Sequence, residues 1–302
     1  MSTRREFLKS SALAGGLLAT SGLNLFAAQK KMFFDISLAE WSLHRMLFDG
    51  KLTNMEFPEF TKNTFRIDAV EYVNAFFFEK ARDKQYLSEL KQRTDDNGIT
   101  NVLIMIDREG ALGDADEAKR KQAVENHYKW IEAAEYLGCH SIRVNAGGQG
   151  SKEEVQKRVV DSLSTLCTFG KEHDINVIVE NHGGYSSNGE WLSSTVAAVD
   201  MKNCGTLPDF GNFTIDRDND VKYDRYKGMK ELLPYAKGVS AKCYNFNDKG
   251  YETTIDFERM LRLVKKAKYK GHIGIEFEGK EMPEVNGVMA CKNLMKKLGG
   301  KI

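Results

Sequence analysis

VIVENH at residues 177–182 contains an apolar, β-type run that ends in a carboxylate. The same pattern recurs in GTLPDF at 205–210 and in HIGIEFE at 272–278. In a parallel α/β barrel, every strand delivers its carboxyl end to one shared mouth. Acids at the ends of such runs therefore converge in that fold, although long stretches of sequence separate them. Convergent carboxylates are typical of a divalent metal site. The three acids are Glu180, Asp209 and Glu276.

The rest of the chain repeats this strand pattern. β-type runs lie at 33–38, 69–74, 100–107, 141–146, 176–180, 205–209, 238–242 and 271–277. Between the runs, apolar residues recur at helical spacing, as at Val155, Val159 and Leu163. Eight alternating units predict an α/β fold, the closed (β/α)8 TIM barrel. The rival fold, an open doubly wound sheet, would show a glycine fingerprint after its first strand, where this chain has SLAEW at 37–41.

The N-terminus forms a separate segment. Arg4 and Arg5 precede an uncharged, weakly hydrophobic stretch from Ser10 to Ala28, a pattern typical of a twin-arginine export signal. We expect residues 1–28 to be a cleaved signal, residues 29–302 to form a single TIM-barrel domain, and the protein to be exported to the periplasm with no stable membrane span after processing. A retained amphipathic segment or an uncleaved anchor is the alternative, because no clean Ala-x-Ala box precedes the barrel.

Composition narrows the classes of partner. The 44 Lys and Arg residues balance 43 Asp and Glu residues, so the chain lacks the positive field that gathers nucleic acid. Apolar residues make up 41% of the chain, which indicates a folded globular protein. The five cysteines include no CxxC pair, and a domain of this size needs no disulfide framework. These observations favour a small-molecule partner and leave a homo-oligomer open.

The strand-end motifs resemble those of the xylose isomerase-like barrels, a family that includes sugar epimerases, hydroxypyruvate isomerase and one class of apurinic endonuclease. The resemblance rests on VENH at 179–182, LPDFGN at 207–212 and GIEFEG at 274–279, and it extends over nearly all of the mature chain. It implies that Glu180, Asp209 and Glu276 bind a divalent metal. The two glutamates would also exchange protons with the substrate.

One position departs from the family pattern. The family places a metal-binding histidine on strand seven, where this chain has Ser240. Water could complete the metal shell, the site could bind metal weakly, or His182 could be the fourth ligand, since it lies two residues beyond Glu180 and points the same way if the strand persists. Oxygen ligands favour Mn²⁺, with Mg²⁺, Co²⁺ and Zn²⁺ as alternatives. Lys242, two residues beyond Ser240, would face the mouth as a catalytic group that polarises a carbonyl or stabilises an enolate.

Other polar residues near strand ends are candidate substrate-binding groups. For each of them, a structural hydrogen bond is an equally good interpretation. They are His44 after the first strand, Glu71 and Asn74 on the second, and Arg143 and Asn145 on the fourth.

The chemistry that fits these residues is proton transfer at the carbon next to a carbonyl. We therefore expect a metal-dependent sugar isomerase or epimerase with a carbohydrate substrate. The same apparatus would make a lyase on oxidised (keto) glycosides if a leaving group lay β to the carbanion. A hydrolase of the endonuclease type would need a histidine-rich zinc cluster and a basic groove, against six His and a net charge of +1 here. A noncatalytic sugar-binding barrel would not need the strand-end carboxylates.

Overall fold

Each of the eight strand segments expected from the sequence contains a strand in the computed structural model, which describes residues 32–302. The strands are β1 (Asp35–Ala39), β2 (Ala69–Val73), β3 (Thr100–Met105), β4 (Ser141–Val144), β5 (Asn176–Glu180), β6 (Cys204–Leu207), β7 (Val239–Cys243) and β8 (His272–Phe277). The prediction of an α/β (β/α)8 TIM barrel is confirmed. The expected export signal at 1–28 lies outside the described residues. Within 32–302, no helix has the length and apolar character needed to cross a membrane.

The sheet closes on itself. All eight strands run parallel, in the order β6-β5-β4-β3-β2-β1-β8-β7. The two edge strands meet through backbone hydrogen bonds: Ser240 N donates to Pro208 O over 3.0 Å, and Phe210 N donates to Ser240 O over 3.1 Å. These bonds bring the end of β6 beside the middle of β7. In the β8–β7 ladder, Glu276 lies opposite Lys242.

A helix follows each strand. These helices are α1 (Phe57–Phe60, continued by a π-helical turn at Thr61–Phe65), α2 (Lys84–Asp96), α3 (Glu117–Leu137), α4 (Lys152–Glu172), α5 (Gly189–Val199), α6 (Arg225–Leu232), α7 (Phe257–Lys266) and α8 (Glu284–Gly299). A further short helix, His44–Phe48, lies between β1 and α1. Side-chain caps fix where several of them begin. Asp116 accepts hydrogen bonds at the start of α3, and Ser151 forms a reciprocal capping box with Glu154 at the start of α4. Helix α3 ends at Gly138, whose φ of 78° suits glycine.

Strand alternation positions the site. On β5, Val177 and Val179 face outward into the large apolar cluster between sheet and helices. Ile178 faces inward and packs in a smaller cluster that includes Leu103, inside the barrel. Glu180 shares the side of Ile178, so the carboxylate at the end of β5 lies over this interior cluster, inside the mouth of the barrel.

Two features differ from the sequence-based expectation. The expected runs 69–74, 100–107, 141–146 and 205–209 extend past the observed strands, because the chain leaves the ladder before their last residues. Asn74 begins a short 3₁₀ helix and instead exchanges hydrogen bonds with the backbone N–H and C=O of Asp107, at 3.0 and 2.9 Å. An antiparallel hairpin, Thr214–Asp216 with Val221–Lys222, follows β6. Its strands are too short for hydrophobic periodicity to predict them.

Candidate active site

Three buried carboxylates meet at the barrel mouth. Glu180 ends β5, Asp209 lies two residues past β6, and Glu276 is the fifth residue of β8. One carboxylate oxygen from each lies within 4.8 Å of the others, and their exposed fractions are 1%, 0% and 4%. Burying like charges this close together is costly unless a cation or a proton compensates them. The structure thus brings together the three acids that the sequence singled out as metal ligands.

The loop after β6 holds Asp209 in place. Its Oδ1 accepts hydrogen bonds from the backbone N–H groups of Gly211, at 2.8 Å, and Asn212, at 2.7 Å. The Asn181 side chain accepts from the Asp209 backbone N–H at 2.8 Å and donates to its backbone C=O at 3.0 Å. One carboxylate oxygen is therefore bound to the backbone, which leaves Oδ2 to face the mouth.

Glu180 is held by a hydrogen bond at one carboxylate oxygen and by an ion pair at the other. Its Oε1 accepts a 2.8 Å hydrogen bond from the Asn212 side-chain amide. Its Oε2 lies 3.0 Å from Arg143 Nε, but the geometry is not that of a hydrogen bond, and within residues 32–302 neither atom has a hydrogen-bond partner. A buried carboxylate oxygen without a donor is suited to ligating a metal ion.

Ser240, which stands where the family has a histidine, links the other two acids. Its Oγ lies 2.6 Å from Asp209 Oδ2 and 2.8 Å from Glu276 Oε2. A hydroxyl carries one proton, so it can donate to only one of these oxygens at a time. The second contact needs a proton on a carboxyl group or a nearby cation to be favourable. Ser240 thus adds a further oxygen to the carboxylate cluster and no nitrogen ligand.

Lys242 lies beside this cluster. Its Nζ donates to Glu276 Oε1 over 2.9 Å and lies 3.3 Å from Glu278 Oε1, and its side chain is buried. Burial opposes the charged form, but the carboxylates of Glu276, Asp209 and Glu278 outweigh it and raise the pKa of Lys242 well above its ordinary value. Lys242 is therefore an ammonium ion that donates hydrogen bonds at the mouth.

The carboxyl groups of the cluster are not equivalent. Burial raises the pKa of Glu180 to about 7, against the opposing charge of Arg143, and burial raises the pKa of Asp209 to about 7 as well. Burial also acts on Glu276, but the adjacent Lys242 ammonium outweighs it and lowers the pKa of Glu276. Titratable groups whose environments move their pKa values apart are suited to opposite acid and base roles.

Arg143 connects the cluster to Asp107, a mouth residue that the sequence analysis did not single out. Arg143 Nη1 donates to Asp107 Oδ1 over 2.9 Å, and Asn145 Nδ2 donates to the same oxygen over 2.7 Å. The charge of Arg143 lowers the pKa of Asp107 to about 2. The sequence contained a signal for Asp107, because this acid ends a β-type run, which is the pattern that identified Glu180.

All five candidate substrate-binding residues make contacts within the protein, and those of Arg143 and Asn145 are with Asp107. Glu71 is buried and accepts a 2.5 Å hydrogen bond from Ser37 Oγ. Asn74 is committed to the backbone of Asp107, as described above. His44 lies 2.7 Å from the backbone oxygen of Trp41 through Nδ1 and stacks on the Trp41 ring with centroids 4.9 Å apart. Substrate contact by these residues, and by Arg143 and Asn145, stays a prediction.

His182 does not join the carboxylate group. Among residues 32–302, the cluster with mutual distances under 4.8 Å contains Glu180, Asp209 and Glu276 but no ring nitrogen of His182. The expectation that His182 points with Glu180 required the strand to continue, but β5 ends at Glu180 and the chain turns. There the His182 backbone N–H donates to Ser186 Oγ over 2.9 Å.

Trp41 extends the network of Lys242. Its Nε1 donates to Glu278 Oε1 over 2.7 Å, and Glu278 faces Lys242 at 3.3 Å. The Trp41 ring packs at 6.0 Å from both Phe48 and Phe76, and Phe48 is exposed. The mouth thus has an aromatic wall beside β1 and β2, formed by Trp41, Phe48 and Phe76, and a charged side formed by the carboxylates. Nothing in the local sequence ties Trp41 to Glu278.

The residues present fit a divalent cation. Three carboxylates supply converging oxygens, the Oε2 atom of Glu180 has no donor within 32–302, and the cluster carries more negative than positive charge. Hard divalent cations prefer oxygen ligands of this kind. Fold and site together define a (β/α)8 barrel with a carboxylate cluster at its carboxyl-end mouth.

The chain belongs to the xylose isomerase-like TIM barrel family, whose sequence profile matches residues 66–297. Among curated proteins, no sequence matches the chain significantly.

Several solved structures share the fold at low sequence identity. The 3-keto-D-glucoside 4-epimerase from E. coli is 15% identical, with a TM-score of 0.64 over 88% of this chain and 100% of that one. The IolI protein with a bound zinc atom is 14% identical, with a TM-score of 0.70 over 88% and 98%. A xylose isomerase-like barrel from Mycobacterium smegmatis in complex with magnesium is 13% identical, with a TM-score of 0.65 over 88% and 97%.

Proposed function

We propose that this protein is a metal-dependent sugar isomerase or epimerase that moves a proton at the carbon next to a carbonyl group. The observation that carries the proposal is the convergence of Glu180, Asp209 and Glu276 within 4.8 Å beside the Lys242 ammonium. Family membership supports the proposal, as does the likeness to a structure named as a sugar epimerase. The substrate we propose is a small carbohydrate.

Glu180, Asp209 and Glu276 would hold the cation, and Mn²⁺ is favoured over Zn²⁺ because the ligands are oxygens and Ser240 replaces a nitrogen donor. Mg²⁺, Co²⁺ and Zn²⁺ are the alternatives, and similar structures named with zinc and with magnesium support a divalent ion at such a site. A cation bound there would withdraw charge from a carbonyl oxygen and acidify the neighbouring C–H group. His182 would act as a ligand only if the loop after β5 rearranged.

The two glutamates are placed to act as acid and base. Glu180 lies on β5 and Glu276 on β8, so they approach a substrate in the mouth from different sides of the barrel. One carboxylate would take the proton from carbon, and the other carboxyl group would return one. Return to the opposite face of the same carbon gives an epimer, and return to the adjacent carbon gives an isomer. The Lys242 ammonium would stabilise the charge that develops on the substrate oxygen.

A lyase acting on oxidised (keto) glycosides is the second candidate. The observation that favours it is the buried Lys242 ammonium, because an elimination needs a hydrogen-bond donor for the departing oxygen as well as a base at carbon. A hydrolase of the endonuclease type is less suitable, since no histidine joins the carboxylate cluster in the described part of the chain. A noncatalytic sugar-binding barrel would have no need of that cluster.

We also propose that residues 1–28 direct export to the periplasm through the twin-arginine route, on the basis of Arg4 and Arg5 and the uncharged stretch after them. Replacement of both arginines by lysine should leave the full-length precursor in the cytoplasm when cell fractions are compared. Equal periplasmic amounts of the two proteins would contradict this proposal.

The test of the proposed activity is proton exchange. The mature chain, loaded with Mn²⁺, is incubated in heavy water with a panel of keto-sugars and keto-glycosides, and the substrate is followed by NMR. We expect loss of the proton signal at the carbon next to the carbonyl, with an epimer or isomer as product, or an unsaturated sugar if elimination occurs. Glu180→Gln is the matched control and should show no exchange. The absence of exchange with every member of the panel would contradict the proposal.

A further inference from the structure

A second cleft opens beside the barrel mouth. It has a volume of about 440 Å³, within the usual range for small-ligand sites. The loop after β4, the loop after β5 and the hairpin after β6 form its walls. These walls include Gly147, Gly148, Gly183, Tyr185, Asp216 and Arg217.

The cleft adjoins the carboxylate site through the chain. Its wall begins one residue after Asn145, the partner of Arg143 and Asp107. Gly183 lies three residues after Glu180, so at most about 11 Å of extended backbone separates them. A ligand too large for the mouth could therefore extend directly into the cleft.

Hydrogen bonds from neighbouring segments hold the loop after β4 in its conformation. The backbone N–H of Gly113 donates to Gly147 O over 2.8 Å, and Arg158 Nε donates to Gly113 O over 2.9 Å. Tyr185 spans the cleft edge, where its hydroxyl donates to Gly150 O over 3.0 Å. A Cβ atom on Gly148 would lie 2.2 Å from Gly113 O, so close packing of two loops explains that glycine.

Packing does not explain why residue 147 is a glycine. A Cβ atom built on it would meet no atom of the described residues within 4 Å, and its φ lies outside the left-handed region. The fold would accept a side chain there, and because Gly147 lines the cleft, that side chain would add bulk at the cleft wall. Glycine at such a position leaves the backbone open to the close approach of a ligand.

The lining suits a neutral polyhydroxyl ligand better than an anion. The Tyr185 ring offers an apolar face, and the oppositely charged Asp216 and Arg217 leave the wall without a net charge. The nearby N-terminus of α4 is already served by a carboxylate, because Glu154 accepts from the Ser151 N–H over 3.0 Å. That acid and Asp216 both oppose the binding of phosphate.

We propose that this cleft binds the second ring of a glycoside whose oxidised ring lies at the carboxylate cluster. The inference rests on the proposed function, and it specifies the substrate class as a disaccharide-like glycoside in place of a free monosaccharide. Gly147 and Tyr185 are the specificity-determining contacts, and the carboxylates are the site of proton transfer.

The experiment compares two substrates that share the reacting ring. One is a methyl keto-glucoside, and the other is the keto-disaccharide with a second glucose in place of the methyl group. Exchange in heavy water gives kcat/KM for each. We expect the wild-type protein to prefer the disaccharide by at least about tenfold, equivalent to about 1.4 kcal/mol. Gly147→Leu should reduce this preference below about twofold and leave kcat/KM for the methyl glycoside unchanged.

Gln149→Leu is the matched control, because it places a leucine in the same loop at an exposed position that does not line the cleft; its preference should equal that of the wild type. Exchange of the methyl glycoside without a preference for the disaccharide would overturn the cleft proposal and leave the proposed function standing.

If neither compound exchanges, the proposed function fails. A binding measurement then tests the cleft proposal by itself. Saturation-transfer NMR of cellobiose with the wild-type protein should give a signal that Gly147→Leu removes and Gln149→Leu retains. Equal signals in the three proteins would overturn the proposal. Binding of inorganic phosphate that Gly147→Leu removes, without binding of cellobiose, would also overturn it.

Discussion

Replacing Lys242 by methionine tests two roles of this residue, one in catalysis and one in the stability of the fold. Lys242 Nζ lies 2.9 Å from the buried Glu276 Oε1 and 3.3 Å from Glu278 Oε1. Removing one partner of a buried ion pair costs about 3–5 kcal/mol of stability. We place Lys242→Met at the lower end of that range, because Glu276 keeps its 2.8 Å contact with Ser240 Oγ and can be protonated.

The expected loss of activity in Lys242→Met is independent of its loss of stability. A preorganised donor aimed at charge that develops in the transition state contributes about 10² to 10³ in rate. We expect kcat for α-proton exchange in Lys242→Met to fall by that factor at a temperature where the variant is folded. The assay is exchange in heavy water with Mn²⁺ present, alongside thermal unfolding.

Lys292→Met is the matched control for Lys242→Met. Lys292 is also a buried lysine, but its Nζ donates to the backbone oxygen of Phe65, on the side of the barrel away from the mouth. It should lose stability without losing kcat. Full exchange activity in folded Lys242→Met, or an equal loss of kcat in both variants, would refute the catalytic role of Lys242.

Three further predictions concern the same mouth. Glu180→Gln combined with Asp209→Asn should abolish stoichiometric Mn²⁺ binding in equilibrium dialysis, because two of the three converging carboxylates are lost; full retention of metal would show that they are not ligands. Burial raises the pKa of Glu71 from 4.5 to about 8, so the folded chain holds a proton that the unfolded chain releases. The contribution of Glu71 to the stability of the metal-free protein should therefore be complete below pH 4.5 and should fall as the pH rises towards 8, by up to about 1.4 kcal/mol per pH unit. Glu71→Gln should flatten that slope in urea unfolding, and an unchanged slope would show that Glu71 is ionised in the fold. Trp41→Phe removes the 2.7 Å donor to Glu278 and should cost about 1 kcal/mol of stability with a few-fold fall in kcat, and wild-type values for both would show that this hydrogen bond does not position Glu278.

The sequence predicted the parts of the molecule that depend on local pattern. The apolar, β-type run VIVE at 177–180 indicated a strand that ends in Glu180, and the parallel barrel then requires the ends of β5, β6 and β8 to meet. Glu180, Asp209 and Glu276 were identified for that reason. The substitution at Ser240 was visible as a departure from the family motif, but its contacts with Asp209 and Glu276 were not.

Contacts between distant loops could not be predicted. Trp41 and Glu278 are 237 positions apart, and their hydrogen bond depends on how β1 and β8 meet across the closed sheet. The strand alternation that aligned His182 with Glu180 ends where the backbone of His182 binds Ser186 in the loop. Rules based on strand periodicity carry no information past the end of the strand.

The central claim is that the three carboxylates act through a bound cation. It is tested most directly by titrating metal-free protein with Mn²⁺ and following α-proton exchange of a keto-sugar substrate. Glu180, Asp209 and Glu276 form one cluster in the described part of the chain, so exchange should be absent after chelation and should rise to a plateau at one equivalent of Mn²⁺ per chain. Exchange that persists at the same rate after complete removal of metal would contradict the claim that these three acids act through a bound cation.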